Sequence, residues 1–454
     1  MNTTTSIKAK RTAALFGIDL DENRADTTHA QPDARELANS ITPGRILHIT
    51  GPSGVGKSTF GRAVTTALQS QGSHIIDAQR INPPNQPNQP NQPCVDCFPG
   101  PLNAALTDIS SAGLADARCF LRTPDALSDG EHARLKLALA LRQANALAPR
   151  PVVIVIDEFA ATLDRPTARG VARLLRRGVS ATTNAAAITI TSHDDLDAPL
   201  QPDHWLHLGA PTPQSRKPRR DTEPTRRIIL EQGDNNDYRA LSHWHYRPGH
   251  PAAIIHTLRL RHTQLNETIG VLVVAMPTLN NPWRNLAWPR RFSTSCQRAN
   301  AKRINDEIRR IARVIIDPRF RGLGLAQRLV RAYLDNPITP CTEAAAVMGA
   351  FSRFFQSAGM TAYRTPPNAR QARLLDALDH MNIQPFDLAS PRRSWEQINA
   401  TPPGAPFIER ELRRWAGASR STARHTNDDA DDLWRRACRS IAGVPIGYAH
   451  TSAN

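Results

Sequence analysis

Three stretches in the first two hundred residues read as short, mainly apolar strands, Arg45 to Thr50, Val152 to Ile156 and Ala187 to Ile190, and the second is a continuous branched run, the pattern of a central parallel strand. Between them the apolar positions switch to a helical period, over Thr59 to Leu68 and again over Leu127 to Leu147. This alternation predicts an α/β unit with a parallel sheet. Further along, Ile254 to Leu260 and Ile269 to Met276 read as antiparallel strands, Ile311 to Ile316 as an apolar strand broken by Asp317-Pro318, and Thr342 to Met348 as another strand. A helix runs through Tyr333, and after residue 366 the pattern is helical over Ala369 to Met381, Pro406 to Trp415 and Asp431 to Ile441. The second half therefore reads as α+β with a helical C-terminal extension.

A chain of 454 residues has room for two or three domains. Asn82 to Pro93 repeats Asn-Gln-Pro, and a proline every third residue forbids both a helix interior and a central strand. Pro211 to Pro224 is rich in Pro, Arg and Thr and reads as a linker. The expected organisation is an N-terminal extension over 1–39, one domain over 40–210, a linker over 211–224, a second domain over 225–365 and the extension over 366–454.

Charge separates the two halves. Residues 1–210 hold 20 basic and 20 acidic side chains, so the net +16 lies wholly in the remainder, where 37 cations, nearly all arginine, face 21 acids. Arginine grips phosphate with a two-toothed fork and stacks on bases, so an acidic partner, most simply nucleic acid, is expected at the second half. No uncharged stretch is long enough to cross a bilayer and the first residues lack a signal-peptide core, which predicts a soluble, cytoplasmic chain with no membrane partner. The six cysteines are dispersed, and Cys94 and Cys97 lack a second pair, so buried free thiols are expected rather than a zinc site.

The strand at Arg45 runs into Gly51-Pro52-Ser53-Gly54-Val55-Gly56-Lys57-Ser58-Thr59, at the spacing G-x-x-x-x-G-K-S. Glycines here let backbone N–H groups converge on the phosphates of ATP, Lys57 reaches the β and γ phosphates, and Ser58 offers its hydroxyl to Mg²⁺. Val152 to Ile156 ends in Asp157-Glu158, where Asp157 would hold the magnesium and Glu158 polarise the attacking water as general base.

Between these two motifs stands Leu127-Ser128-Asp129-Gly130-Glu131, which resembles the signature of ABC ATPases. The resemblance implies that Ser128, Gly130 and the helix start bind the γ phosphate of a nucleotide held by a second copy, hence a homodimer around shared ATP. Ala161-Thr162-Leu163-Asp164 resembles the family's D-loop and Thr191-Ser192-His193 its switch, with His193 on the γ phosphate. No glutamine stands out as the family's Q-loop residue, and its place is expected around Val95-Asp96-Cys97-Phe98; no tyrosine precedes the phosphate loop. The short interval from Lys57 to Ser128 points to a soluble member, nearer in role to the DNA-repair, chromosome and translation proteins than to permeases.

Downstream, Arg319-Phe320-Arg321-Gly322-Leu323-Gly324-Leu325-Ala326 leads from strand to helix and resembles the R/Q-x-x-G-x-G/A turn of GNAT acetyltransferases. The resemblance implies an acetyl-CoA or other acyl-CoA whose pyrophosphate lies on that turn. Glu343, His243 and His245 are candidate bases, with Glu343 favoured because its strand should flank the acyl group; Phe354 and Phe355 stand where relatives carry a tyrosine acid, so the acid is unassigned. His243-Trp244-His245-Tyr246-Arg247 and Trp283-Arg284 through Trp288-Pro289-Arg290-Arg291 interleave aromatics with cations, as a base-stacking surface or as a tryptophan-pinned loop. The expectation is an ATPase coupled to acetylation of a nucleic acid. An ATP-dependent clamp with a non-catalytic GNAT half, or acetylation of a protein or small amine, remain open.

Overall fold

The computed structural model describes residues 6–16, 33–81, 92–209, 214–215, 227–246, 249–402, 404–441 and 445–452. Nearly all of the Asn-Gln-Pro repeat and of the expected linker lies outside them, as does most of the N-terminal extension. The chain forms two compact units, Met1–Gln92 with Pro124–Thr222, and Pro93–Thr123 with Glu223–Asn454.

The first unit holds a six-stranded sheet of β1 (Ile46–Thr50), β2 (His74–Asp77), β3 (Val152–Ile156), β4 (Ala185–Ile190), β5 (His204–His207) and β6 (Gln214–Ser215) in the order β2-β3-β4-β1-β5-β6. The first five are parallel and β6 runs against β5. Every residue of β1 and β4 is buried, and the polar His48 and Thr189 among them meet each other at 2.8 Å. One face packs Leu47, Ile49, Val153 and Ile188 against Phe60, Val64 and Leu68 of the helix Lys57–Ser70. Parallel pairing brings the carboxyl ends of β1, β4 and β3 to one edge, where ligands of open α/β sheets bind.

The second unit is built on seven strands: β7 (Ile228–Gln232), β8 (Ile254–His262), β9 (Glu267–Ala275), β10 (Ile308–Ile316), β11 (Cys341–Ala346), β12 (Thr361–Tyr363) and β13 (Ile446–Thr451), in the order β12-β13-β11-β10-β9-β8-β7. β7 to β10 form an antiparallel meander, β10 and β11 are parallel, and β13 lies antiparallel between β11 and β12. The helix Leu325–Asp335 covers one face through Leu325, Leu329, Val330 and Tyr333; on the other, Tyr238 and Leu241 of the helix Asn235–Ser242 meet Val271, Val273 and Ile315.

Two boundaries differ from those expected. The helices Ala369–Asp379, Gly404–Gly417 and Ala430–Ile441 enclose their own core of Leu374, Leu412, Trp415 and Trp434, yet they are an insertion rather than a terminal extension, because the chain returns through β13 into the middle of the sheet. Residues 93–123 also pack with the second unit: Asp116, which caps the helix Ala117–Leu121, pairs with Arg321 at 3.3 Å, and Arg118 donates to the carbonyl of His243 at 3.2 Å. A linear reading draws contiguous domains, so it cannot register an excursion held by partners two hundred residues away. Among the described residues no helix is long and apolar enough to cross a membrane.

Candidate functional site

The loop after β1 is shaped by its glycines. A Cβ on Gly51 would stand 2.3 Å from the carbonyl oxygen of Leu208, and Gly56, at φ 92°, is the left-handed residue from which the helix Lys57–Ser70 starts. Ser53, Gly54 and Thr59 are exposed, and Ser58 is half-buried at the first turn. Lys57 folds back, its Nζ donating to the carbonyls of Gly51 (2.8 Å) and Pro52 (2.6 Å). Burial lowers its pKa, while Asp157 and Asp194 pull the other way. The lysine therefore sits on neutral carbonyls that an anion with more charge can replace.

At the end of β3, Glu158 is exposed and left-handed at φ 48°, and its N–H donates to Asp157 Oδ1 at 2.9 Å. The side-chain amide of Gln79 donates to the Asp157 carbonyl, Gln79 N–H donates to Asp77 at 3.0 Å, and Lys136 Nζ donates to the Gln79 carbonyl at 3.0 Å. Gln79, which the sequence reading did not single out, is therefore the glutamine held against the acidic end of β3. The expected place, around Val95-Asp96-Cys97-Phe98, lies instead on a short helical turn of the second unit, Cys94–Cys97, with both cysteines buried. The usable signal was position: Gln79 follows directly on an apolar run, His74–Asp77, that pairs with β3. At the end of β4, His193 is half-buried and its N–H donates to Thr191 Oγ1 at 3.3 Å.

Ser128, Gly130 and Asp164 form a separate group. Ser128 caps the helix Asp129–Ala146 in a capping box with Glu131, so the glutamate that departs from the usual signature closes the helix start. Asp164 caps the helix Arg165–Ala181 through the Thr167 N–H. A Cβ on Gly130 would meet Thr167 Cγ2 at 2.6 Å, so glycine lets the two helix starts touch.

In the second unit the parallel pairing of β10 with β11 joins Ile308–Ile311 to Cys341–Ala344, while the antiparallel pairing of β10 with β9 runs from Arg310 to Ile316 with a bulge between Ile311 and Arg313. The turn after it carries Gly322 at φ 87° and Gly324 at φ 76°, the latter starting the helix Leu325–Asp335. Gly324 is exposed, and a Cβ there meets nothing. Leu323 and Ala326 pack partly into the core beneath.

The arginines of this turn do not point at a free anion site. Arg319 is clamped by Asp317 and Glu267, both at 2.8 Å, which raise its pKa, and Arg321 donates to the Ile316 carbonyl and pairs with Asp116. The expectation that Glu343 is a base is corrected as well. It is fully buried, and its two oxygens accept three hydrogen bonds from Arg284 and one from Asn281. Burial raises its pKa against the pull of Arg284, but a carboxylate so occupied in a dry site has no free lone pair for an incoming proton.

His243 lies against Trp244 and His245 against Tyr246, with ring centroids 4.6 and 5.0 Å apart. Trp283 and Trp288 are 3% and 7% exposed, and the Trp283 ring fills the space above Gly447. The second aromatic stretch is thus a pinned loop, not a stacking surface. Cys94 and Cys97 are buried and not disulfide-bonded, and burial pushes Cys97 up to about 11.

A family model described as AAA ATPase domain matches residues 34–184. Over 205 residues the chain is 30% identical to the vitamin B12 import ATP-binding protein BtuD of Citrobacter koseri, covering 40% of this chain and 78% of that one. It is 27% identical over 219 residues to the putative 2-aminoethylphosphonate import ATP-binding protein PhnT of Salmonella choleraesuis, covering 43% of this chain and 57% of the relative. Among solved structures, the dimeric ATP-binding cassette MJ0796 bound to ADP and Pi aligns with 39% of this chain and 88% of that one at 18% identity, with a TM-score of 0.30, too low to carry weight. On the strength of the BtuD match and of the loop, acidic strand end and signature described above, the chain belongs to the ATP-binding cassette family and is an ATP-binding ATPase.

Proposed function

We propose that this chain hydrolyses ATP as a homodimer and transfers an acetyl group from acetyl-CoA, through a GNAT-like second unit, to a nucleic acid. In the first unit, Lys57 leaves its carbonyls for the β and γ phosphates while the N–H groups of Ser53 to Thr59 wrap them. Ser58, Asp157 and the neighbouring Gln79 are oxygen donors of the kind Mg²⁺ takes, and the ion would neutralise developing charge on the phosphates. Glu158 acts as general base on the attacking water, and His193 orients the γ phosphate. Ser128, Gly130 and Asp164, at two helix starts that touch through Gly130 and Thr167, serve the nucleotide of the partner subunit.

The observation that carries the acyl-transfer reading is the parting of β10 from β11 after four residue pairs, beside a turn that starts a helix with two left-handed glycines. Such a gap admits the amide-bearing arm of CoA against free strand backbone, and the turn's N–H groups with the helix start suit a pyrophosphate. The strand order β12-β13-β11-β10-β9-β8-β7 supports the same fold. Residues 93–123, which precede the signature in sequence and hold Arg321 through Asp116, supply a covalent route by which the nucleotide state reaches this turn.

A second reading, a clamp whose second unit binds CoA without chemistry, is favoured by the occupied Glu343 and by Phe354 and Phe355 at the expected place of the acid. Labelled acetyl-CoA incubated with protein, ATP and total nucleic acid decides: label in RNA or DNA supports transfer, and bound but untransferred CoA supports the clamp.

A further inference from the structure

Several partly buried arginines of the second unit pair with acids: Arg259 and Arg261 with Glu231, Arg291 with Glu307, Arg319 with Asp317, Arg413 with Glu409. Among the described residues three on β10, Arg309, Arg310 and Arg313, have no ion-pair partner, and Arg309 donates instead to the carbonyls of Asn305 and Ile308, both at 2.7 Å. Arg310 lies opposite Ala275 and Arg313 opposite Val273; alternate residues of β9 share a face, so the bulge keeps both arginines on one face. That face also carries Glu343, directly across from Arg310 on β11. Both arginines are half-buried, and among the described residues the buried Nε of each has no acceptor. Arg313 donates only to the carbonyl of Ala312, at 2.9 Å.

The nearby carboxylate does not answer them. Glu343 is saturated by Arg284 and Asn281, so three guanidinium groups face one acid in a half-buried place. Burial and the neighbouring Arg313 both lower the pKa of Arg310, against Glu343. Guanidinium does not shed its proton under ordinary conditions, so this excess charge calls for an anion. A phosphate accepts guanidinium forks on its non-bridging oxygens, whereas the acceptor sites of Glu343 are already filled.

We propose that Arg310 and Arg313 are the seat of a phosphate group on the acyl acceptor, beside the bulge where the thioester would end. This rests on the acyl-transfer reading and deepens it, since it names the acceptor's chemistry. The phosphate belongs either to a polynucleotide backbone or to a small phosphate ester, and the two are told apart below.

The test uses the full chain with Arg310→Gln, Arg313→Gln, the double variant, and a double Arg→Lys variant that keeps charge but loses the fork. Anisotropy of a labelled single-stranded RNA across a salt series is read beside the rise in melting temperature given by inorganic phosphate, with CoA affinity as control. The double Gln variant should bind RNA about tenfold or more weakly, with a log–log salt slope shallower by about 0.7 to 1, and the double Lys variant should recover part of the loss. CoA affinity should stay within about twofold. A phosphate effect lost in the double Gln variant, with no RNA bound by the unaltered chain, supports the small-ester source. Unchanged RNA binding and phosphate effect, no binding of either by the unaltered chain, or an equal fall in CoA affinity overturns the proposal. Absence of CoA binding in every protein defeats the acyl-transfer reading instead, and the RNA and phosphate results still decide the anion seat.

Discussion

Two turns of this molecule share a design and differ in how they treat charge. Gly56 and Gly324 each stand at a left-handed φ, each ends a loop that follows an apolar strand, and each starts a helix. At the first, the cation is held loosely: Lys57 rests on the carbonyls of Gly51 and Pro52. At the second, the cations are committed, Arg319 to Asp317 and Glu267 and Arg321 to Asp116. A triphosphate site needs a cation that moves onto the ligand, whereas the second turn offers an anion only backbone N–H groups and a helix start.

The comparison can be broken or sharpened by substitution, in descending order of effect. Glu158→Gln should slow ATP hydrolysis by about a thousandfold while leaving nucleotide bound, read by phosphate release and nucleotide retention. Normal turnover in that variant would remove Glu158 as the base. Lys57→Ala should weaken ATP binding by about a hundredfold, because the charge that meets the phosphates is gone.

Arg284→Ala would strand the buried Glu343 charge and should cost about 3–5 kcal/mol of stability in urea melts, a loss that supports a structural rather than proton-accepting Glu343. His48, buried on β1 with Thr189 as its partner, is held neutral by burial, its pKa lowered to about 4. A His with a lowered folded pKa contributes stability above its unfolded pKa of about 6.5. That contribution, about 3 kcal/mol, should drain as pH falls from 6.5 to 4, and His48→Leu should flatten this part of the pH–stability curve.

Gly324→Val should weaken acetyl-CoA binding about tenfold; it meets no steric obstacle, so the effect comes from a φ that branched side chains avoid. Arg319→Ala should change CoA affinity by less than about threefold, since its fork is already spent on carboxylates.

What was legible in the sequence was local. The phosphate loop, the acidic end of β3, the signature and the turn at Gly322 are contiguous residues whose spacing is itself the geometry. What escaped depends on pairing between distant segments. Gln79 acquires its place only when β2 aligns with β3 and brings its amide to the Asp157 carbonyl. Glu343 looked available because nothing in Thr342 to Met348 reveals that Arg284, about sixty residues earlier, closes on it. Trp283 and Trp288 read equally as a surface or a pinned loop, and Gly447, distant in sequence, decided for the loop by leaving room for an indole. β13 is six residues with two apolar members facing the core, too short to announce that the chain re-enters the sheet after a helical insertion.

The central claim is that one turn takes a nucleoside triphosphate and the other an acyl carrier, each by its own means. Calorimetric titration of acetyl-CoA into the unaltered chain, Lys57→Ala and Gly324→Val tests it most directly. The account predicts saturable binding that Lys57→Ala leaves intact and Gly324→Val weakens; no binding to the unaltered chain, or binding that disappears with Lys57, would contradict it.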